Sequence, residues 1–300
     1  MDNLLQQLLN GITWGSIYAL IALGYTMVYG VLRLINFAHG EVYMMGAMAG
    51  YYAAHALGLA GAPSLLGLVV VLAISMVACG LLGAAIERIA YRPLRSAGRL
   101  APLITAIGVS LLLQNTGQLV FGADPKFFPP LLESRELVRF GNVAVSNIQV
   151  TVLVTALLLM AALEFIVQRT RFGRAMRAVS YDAPAAALMG VPVDRVIAGT
   201  FVLGSMLAAA AGILVGLSNP KIEPLMGLMP GLKAFVAAVL GGIGSVPGAM
   251  AGGLLLGVIE TLVTGYLSST YRDAIAFVIL VVILLYRPTG LFGAPQTDKV

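Results

Sequence analysis

Nine stretches of about 20 mainly apolar residues follow one another along this 300-residue chain. A helix of about 20 residues crosses the roughly 30 Å of hydrocarbon in a bilayer and pairs nearly all of its backbone polar groups internally. Successive stretches of this length therefore predict a bundle of membrane-spanning helices. The approximate spans are residues 9–31, 36–57, 64–86, 100–121, 148–168, 195–217, 226–244, 247–266 and 272–287.

The second and seventh spans are interrupted by residues that suit a continuous span poorly. Glycine, His39 and Glu41 interrupt the second, and Pro230 and Lys233 interrupt the seventh. Such residues are tolerated where a helix is broken or re-entrant and its freed polar groups find partners inside the protein. The fold class expected is all-α: a polytopic transmembrane helical bundle with eight or nine spans, some broken or re-entrant. One transmembrane domain is expected over residues 1–300.

The charge content excludes a soluble globular protein. Only 10% of the residues are charged and 59% are hydrophobic, whereas globular domains are about one quarter charged. The formal net charge of +5 does not indicate nucleic-acid binding, because the basic residues gather at the ends of apolar stretches, as in cytoplasmic loops. The two clusters are Arg88, Arg92, Arg95 and Arg99, and Arg169, Arg171, Arg174 and Arg177.

The basic residues also predict the orientation of the chain. With residues 88–99 and 169–195 in the cytoplasm, 12 of the 18 Lys and Arg residues lie inside, five outside, and Lys233 within a span. This bias places the N-terminus outside and the C-terminus in the cytoplasm. The ammonium group of Lys233 is then expected to snorkel or to face a watery cavity.

A short helix is predicted within the cytoplasmic loop at about 169–195. Asp182 can cap a helix, and Pro184 suits its first turn, where a missing N–H costs nothing. Gly190 can end the helix in the left-handed conformation, and Pro192 prevents its restart. The result is about seven residues, or about 10 Å, which is too short to span a membrane. It has the form of a contact point for a cytoplasmic partner, although an ordinary structured loop is an equal alternative.

Four ordered motifs resemble the LivH-type permeases of the branched-chain amino acid ABC importer family, and the resemblance covers essentially the whole chain. The chain also begins directly at its first span, which resembles the LivH half of a permease pair rather than the LivM half. The motifs are Asn36-Phe-Ala-His-Gly-Glu41, the loop from Gly173 to Val191, Gly241-Gly-Ile-Gly-Ser-Val-Pro-Gly-Ala249 and Tyr286-Arg-Pro-Thr-Gly-Leu-Phe-Gly293.

This resemblance implies a heteromeric complex in the bacterial inner membrane, surrounded by lipid. It would contain a second, LivM-like permease, two cytoplasmic ABC ATPases and a periplasmic or extracellular substrate-binding protein. The chain would form the pathway for branched-chain amino acids. The residues implied to couple it to the ATPases are Asp182, Ala183, Pro184, Ala185, Ala186, Ala187, Leu188, Met189 and Gly190.

The residues offer no catalytic or metal centre, and no cofactor or nucleic-acid partner is expected. The glycine-rich segment from Gly241 lacks the Lys-Ser/Thr of a phosphate-binding P-loop, so ATP hydrolysis is expected on separate subunits. Cys79 is the sole cysteine, and His39 and His55 lie at opposite ends of one span, which leaves too few ligands for zinc. The chain is therefore expected not to be an enzyme.

Four polar residues inside apolar regions are candidates for gating or for the pathway: Asn36, His39, Glu41 and Glu260. Ionisable groups are expensive within a membrane and mark functional positions. A structural or gating role is favoured over substrate contact for the first three. For Glu260, a polar path and an interhelical hydrogen bond are equal alternatives.

Two other functions stay open from the residues alone. One is a permease for another small solute, such as urea, a short amide or a sugar. The other is a stand-alone secondary transporter, although the spans contain few acidic residues for ion coupling.

Overall fold

The computed structural model describes residues 2–95, 97–98, 100–141 and 143–293, so Arg99 of the first basic cluster lies outside the described residues. These ranges are mainly helical, and their strands are short, which confirms the all-α prediction. The helices are α1 (Asp2–Leu32), α2 (His39–Ala56), α3 (Leu65–Ile86), α4 (Leu100–Phe121), α5 (Asn147–Arg169), α6 (Arg171–Tyr181), α7 (Ala183–Leu188), α8 (Val193–Ser218), α9 (Leu228–Gly241), α10 (Val246–Tyr266) and α11 (Arg272–Tyr286). The strands are β1 (Lys126–Phe127), β2 (Glu136–Phe140), β3 (Val143–Ser146) and β4 (Lys221–Ile222).

Seven helical segments in the described ranges are long and apolar enough to cross a membrane, and they contain α1, α3, α4, α5, α8, α10 and α11. The other two predicted spans are weaker. Helix α2 has 18 residues but includes His39, Glu41 and His55. Helix α9 has 14 residues, or about 21 Å, which is less than the hydrocarbon thickness. A polytopic helical bundle is thus confirmed, while the number of crossings stays a prediction.

Serine side chains begin three of the long helices. Ser64 accepts a hydrogen bond from the Gly67 amide at 3.0 Å and starts α3. Ser146 and Gln149 form a reciprocal capping box at the start of α5. Ser245 accepts from the amide of Gly248 at 3.2 Å and starts α10. These caps satisfy amides that have no partner within the helix, which fixes where each helix begins.

Helices α1 and α8 form the centre of the bundle, and α3, α4, α5 and α11 lie at its outside. The outer helices expose large apolar side chains, such as Leu119 of α4, which is 87% exposed. An apolar outer face of this extent is stable in lipid or against another subunit, but not in water.

Small residues bring α1 and α10 into close contact. Gly11 and Gly15 face the backbone of Val258 and Leu254, so the two helices run antiparallel. On the same interface, a Cβ atom at Gly253 would collide with the backbone of Ala19. Close approach through glycine is the usual packing device between helices in lipid, where no hydrophobic driving force joins them.

The segment between α1 and α2 turns back into the bundle. Its last residues lead to His39, whose imidazole occupies the place that a Cβ atom of Gly24 would take. Gly24 lies eight residues before the end of α1, which corresponds to about 12 Å of helix. Helix α2 therefore begins inside the bundle. Asn36, His39 and Glu41 are accordingly buried, with 3%, 1% and 1% exposure.

Helices α2 and α9, the two weaker predicted spans, have corresponding positions in the bundle. Helix α2 follows the central helix α1 and packs on α8, while α9 follows α8 and packs on α1. The central helices approach each other at Gly24 and Gly204, and the N-terminal turns of α2 and α9 meet at Gly40 and Gly227. The starts of α2 and α9 therefore meet each other inside the bundle, beside the contact between the two central helices.

Short strands tie together the loops at the end of the bundle where α2 and α8 finish. Strand β1 pairs with β4, and β2 pairs with β3 in an antiparallel hairpin. The hairpin is held to α1 by the side chain of Gln6, which accepts a hydrogen bond from the Ala144 amide at 2.8 Å.

Candidate functional site

The predicted short helix in the loop at 169–195 is present as α7. The Asp182 side chain accepts a hydrogen bond from the Ala185 amide at 2.9 Å, and Pro184 lies in the first turn. Gly190 has a φ of +83°, which is strained for other residues and ends the helix. The helix has six residues, or about 9 Å. Its predicted caps are confirmed.

The two faces of α7 differ. Ala186 is 6% exposed and packs in the core, whereas Leu188 and Met189 are 89% and 85% exposed. Ala187 of the same helix lines a cavity of about 760 Å³, together with Arg88 and Arg92 beyond the end of α3 and residues at the start of α8. We call this end of the bundle the basic end, because Arg88, Arg92 and Arg195 line the cavity there, although Glu87 and Asp194 line it too.

A second helix, α6, precedes α7 and was missed in the sequence. Thr170 caps it by accepting a hydrogen bond from the amide of Gly173 at 3.1 Å. Met176 and Val179 are buried beneath it. The Ser180 hydroxyl donates to the Gly30 carbonyl of α1. The sequence contains the pattern of this helix, a threonine cap followed by apolar residues three or four positions apart. The arginines among them instead favoured the interpretation of a basic loop before α7.

Two arginines bind one carboxylate where α3 and α8 meet. Helix α3 continues through Glu87–Tyr91 and a further turn to Leu94. Arg95 lies 2.5 Å from Asp194, and Arg92 also pairs with it. Asp194 is in the first turn of α8, directly after the α7 loop. This junction was not predicted, because the two arginines and Asp194 are far apart in sequence.

Asn36 and His39 hold in place the segment that leads into α2. The Tyr91 hydroxyl donates a hydrogen bond to the Asn36 side-chain oxygen at 2.9 Å. The imidazole of His39 meets the ring of Tyr25 edge-on at 4.9 Å between centroids. Both polar residues are buried, with 3% and 1% exposure. Their contacts join α1, α2 and the end of α3.

Glu41 has a different environment. It lines a cavity of about 300 Å³ between α2, α4 and α9. Its Oε1 atom accepts hydrogen bonds from Gln114 at 2.6 Å and from Ser110 at 3.3 Å. Gln114 and Ser110 lie one turn apart on α4, so α4 offers one polar stripe to the cavity.

Glu260 belongs to a separate network. Its Oε2 atom accepts a hydrogen bond from the Tyr18 hydroxyl at 2.8 Å and lies 3.4 Å from Nε of Arg272. Its Oε1 atom pairs with Lys233, whose ammonium also lies 2.6 Å from Asp273. Lys233 does not snorkel, since its side chain is 5% exposed and neutralised by two carboxylates.

The four candidates are therefore not brought to one place. Asn36, His39 and Glu41 lie together at the start of α2. Leu228 and Leu232 of α9 face the Glu41 cavity, whereas Lys233, the partner of Glu260, lines another cavity of about 380 Å³. Among the described residues, no group of three or more His, Cys, Asp or Glu side chains is placed to hold a metal ion.

Known proteins resemble this chain along nearly its whole length. A family model described as "Branched-chain amino acid transport system / permease component" matches residues 7–284. The high-affinity branched-chain amino acid transport permease BraD of Pseudomonas aeruginosa is 46% identical over 300 residues, covering 99% of this chain and 98% of BraD. LivH of Salmonella typhimurium is 46% identical over 308 residues, with 99% and 97% coverage.

A more distant relative matches only in part. The fructose import permease FrcC of Rhizobium meliloti is 35% identical over 127 residues, which is 40% of this chain and 34% of FrcC. No solved structure matches the chain. The full-length relatives are permease components of transport systems rather than enzymes. The chain belongs to the family of branched-chain amino acid transport permeases.

Proposed function

We propose that this chain is the membrane-spanning permease subunit of an ABC importer and forms the translocation pathway for branched-chain amino acids. Similarity to BraD and LivH over nearly the full length of both chains carries this proposal. Residues 1–300 act as one transmembrane domain, with a coupling loop at 169–195. A sugar permease is less well supported, because the match to FrcC covers less than half of the chain.

The proposed assembly contains a second, LivM-like permease, two cytoplasmic ATPases and an external substrate-binding protein, in the bacterial inner membrane. The N-terminus lies outside and the C-terminus in the cytoplasm. The basic end supports this orientation, because the arginines of α3, α6 and the start of α8 gather there, as expected of a cytoplasmic face. With the seven long helical segments, nine crossings follow if α2 and α9 both span the membrane with their connecting turns, and this odd number agrees with termini on opposite sides.

The segment Asp182–Gly190 is proposed to dock in the ATPase. Leu188 and Met189 project from it, and Ala186 seats it on the bundle. Pro192 leads directly into α8, which packs on α1, α2 and α3. A displacement of α7 by ATPase closure is thereby passed to the central helices. Asp194 at the start of α8 pairs with Arg92 and Arg95, so these ion pairs pass the same displacement to α3.

Asn36 and His39 are proposed to have a gating role. They hold the start of α2 between α1 and the end of α3. A shift of α1 or α8 would therefore change the position of α2. Glu260 is proposed to have a structural role, because each of its oxygens has a cationic partner.

Co-purification from native membranes, followed by leucine uptake in proteoliposomes, tests the proposal. We expect ATPase and second-permease subunits to co-purify, and uptake to require ATP and the binding protein. Uptake without ATPase under an ion gradient would indicate a secondary transporter. Uptake of urea, an amide or a sugar in preference to leucine would contradict the substrate assignment.

A further inference from the structure

The two carboxylate oxygens of Glu41 are not equivalent. Gln114 and Ser110 donate to Oε1, whereas Oε2 has no hydrogen-bond partner among the described residues. The residue is only 1% exposed. A carboxylate oxygen removed from water and left without a donor costs free energy, so the site is incomplete in the chain alone.

The cavity at Glu41 has the size and the lining of a site for a small apolar molecule. Its volume is about 300 Å³, at the lower end of the range for ligand pockets. Apart from Glu41 and its two donors, most of its wall consists of apolar side chains, including Phe37, Ile107 and Leu232. An apolar wall with one carboxylate is complementary to an apolar body with one positive charge.

Oε2, the oxygen of Glu41 without a hydrogen-bond partner, lies where the N-terminal turns of α2 and α9 meet. A Cβ atom at Gly227 would lie 2.8 Å from Oε2 of Glu41, so glycine at this position leaves room for the buried oxygen beside the cavity. Gly231 and Gly40 are equally close to each other across the same junction. Transporters with broken helices place their substrate sites at such junctions, because irregular backbone is tolerated where it lines a cavity.

No cation of the protein lines this cavity in the described residues. Tyr25 faces it from α1, Ser110 and Gln114 face it from α4, and α9 contributes glycines and leucines. Lys233 of α9 is paired with Glu260 and Asp273. The charge of Glu41 is therefore available to a ligand.

We propose that this cavity binds the protonated amino group of the transported amino acid at Oε2 of Glu41, with the apolar side chain of that amino acid against the cavity wall. The proposal rests on the proposed function for the identity of the amino acid. It assigns the recognition of a positively charged amine to Glu41 itself.

Uptake measurements test the role of the charge. The Glu41→Gln variant keeps an acceptor for Gln114 and Ser110 but loses the charge. We expect leucine uptake by the assembled complex to fall roughly 10- to 100-fold, as for the loss of one hydrogen bond to a charged group. Recovery of the assembled complex should stay at the wild-type level, which separates a lost charge from failed assembly. Glu41→Asp should restore part of the uptake, because it restores the charge.

Glu164→Gln provides a matched control. Glu164 also has a buried oxygen without a hydrogen-bond partner among the described residues, but its helix, α5, does not line the cavity. Its uptake should stay near the wild-type value. Wild-type uptake by Glu41→Gln would contradict the proposal.

Protection of a cysteine separates this site from the choice of substrate. Cys79 is the sole cysteine and is buried, so Leu232→Cys adds one reactive thiol at the cavity wall. Leucine and 3-methylbutylamine should slow its reaction with N-ethylmaleimide, and 4-methylpentanoate should not. The Glu41→Gln change should remove this protection.

The outcomes of the two experiments are distinct. Protection by the amine alone, without leucine transport, would refute the branched-chain substrate and retain the site. Equal protection by the acid, or protection that survives Glu41→Gln, would refute the site even if leucine is transported.

Discussion

Lys233 of α9 and Glu260 of α10 form an ion pair in which both side chains are buried, with 5% and 1% exposure. Tyr18 and Arg272 contact the same carboxylate, and Asp273 contacts the same ammonium. The pair therefore joins α1, α9, α10 and the start of α11. It fixes the position of helix α9, whose 14 residues are too few to cross the hydrocarbon of a bilayer.

Removing one partner of this pair should destabilise the protein more than removing both. Lys233→Met leaves the carboxylate of Glu260 buried with its main cation gone, which costs about 3–5 kcal/mol. The double variant Lys233→Met/Glu260→Gln leaves no buried charge at the pair and should recover part of that loss. Thermal unfolding of the detergent-solubilised protein measures both. A double variant that is less stable than Lys233→Met would contradict this assignment.

The projection on α7 should control ATPase docking. Leu188→Asp places a charge on an 89% exposed apolar side chain and should reduce co-purified ATPase about 30-fold or more, as for a central interface residue. Membrane insertion and folding should be unaffected, because Leu188 makes little contact with the bundle.

Leu188→Met is the matched control for docking and should retain the ATPase, since it keeps an apolar side chain of similar size. Ala186→Leu should instead impair folding, because Ala186 is buried against the bundle. Normal ATPase recovery with Leu188→Asp would refute the docking role of this residue.

The Asp194 junction should matter more for transport than for stability. The side chains of Arg92, Arg95 and Asp194 are 45%, 33% and 40% exposed, so water screens the pairs. Asp194→Asn should therefore lower the free energy of unfolding by less than about 1 kcal/mol. Leucine uptake per ATP hydrolysed should nevertheless fall, because the ionic contact between the end of α3 and the start of α8 is weakened.

Glu133→Gln is the control for this prediction. It breaks a more exposed pair, that of Glu133 with Arg135 in the loop before β2, where the carboxylate is 59% exposed. It should change neither unfolding nor the ratio of uptake to ATP hydrolysis. An Asp194→Asn complex with the wild-type ratio would show that the junction does not carry coupling.

Helix positions were predicted well, because the thickness of a bilayer fixes how long an apolar span must be. The predicted span at 100–121 coincides with α4, and that at 148–168 differs from α5 by one residue at each end. The ends of α7 followed from a capping aspartate and a glycine, which act locally. These features depend on neighbours within a few residues, so they are visible without a fold.

Contacts between helices were not predictable in the same way. The pairing of Glu260 with Lys233 depends on how α9 and α10 are rotated against each other, which no local pattern records. The depth of His39 and Glu41 depends on the turn after α1 folding back into the bundle. An apolar run has the same composition whether it starts at the membrane surface or in the interior, so composition does not record how deeply this segment lies in the bundle.

The contact between Gly24 and His39 supports a last prediction. A Cβ atom at Gly24 would collide with the imidazole, so Gly24→Ala should cost about 1–3 kcal/mol, as for overpacking of a tight core. His39→Ala in the same chain should relieve the collision, so the double variant should be more stable than the sum of the two single changes implies.

Gly108→Ala is the control, because nothing lies within 4 Å of its added Cβ, and it should be neutral or stabilising by up to about 1 kcal/mol. Thermal unfolding of the four proteins against wild type measures these effects. Additive losses in the double variant would mean that the imidazole does not pack against Gly24, and that α2 begins at another depth in the bundle.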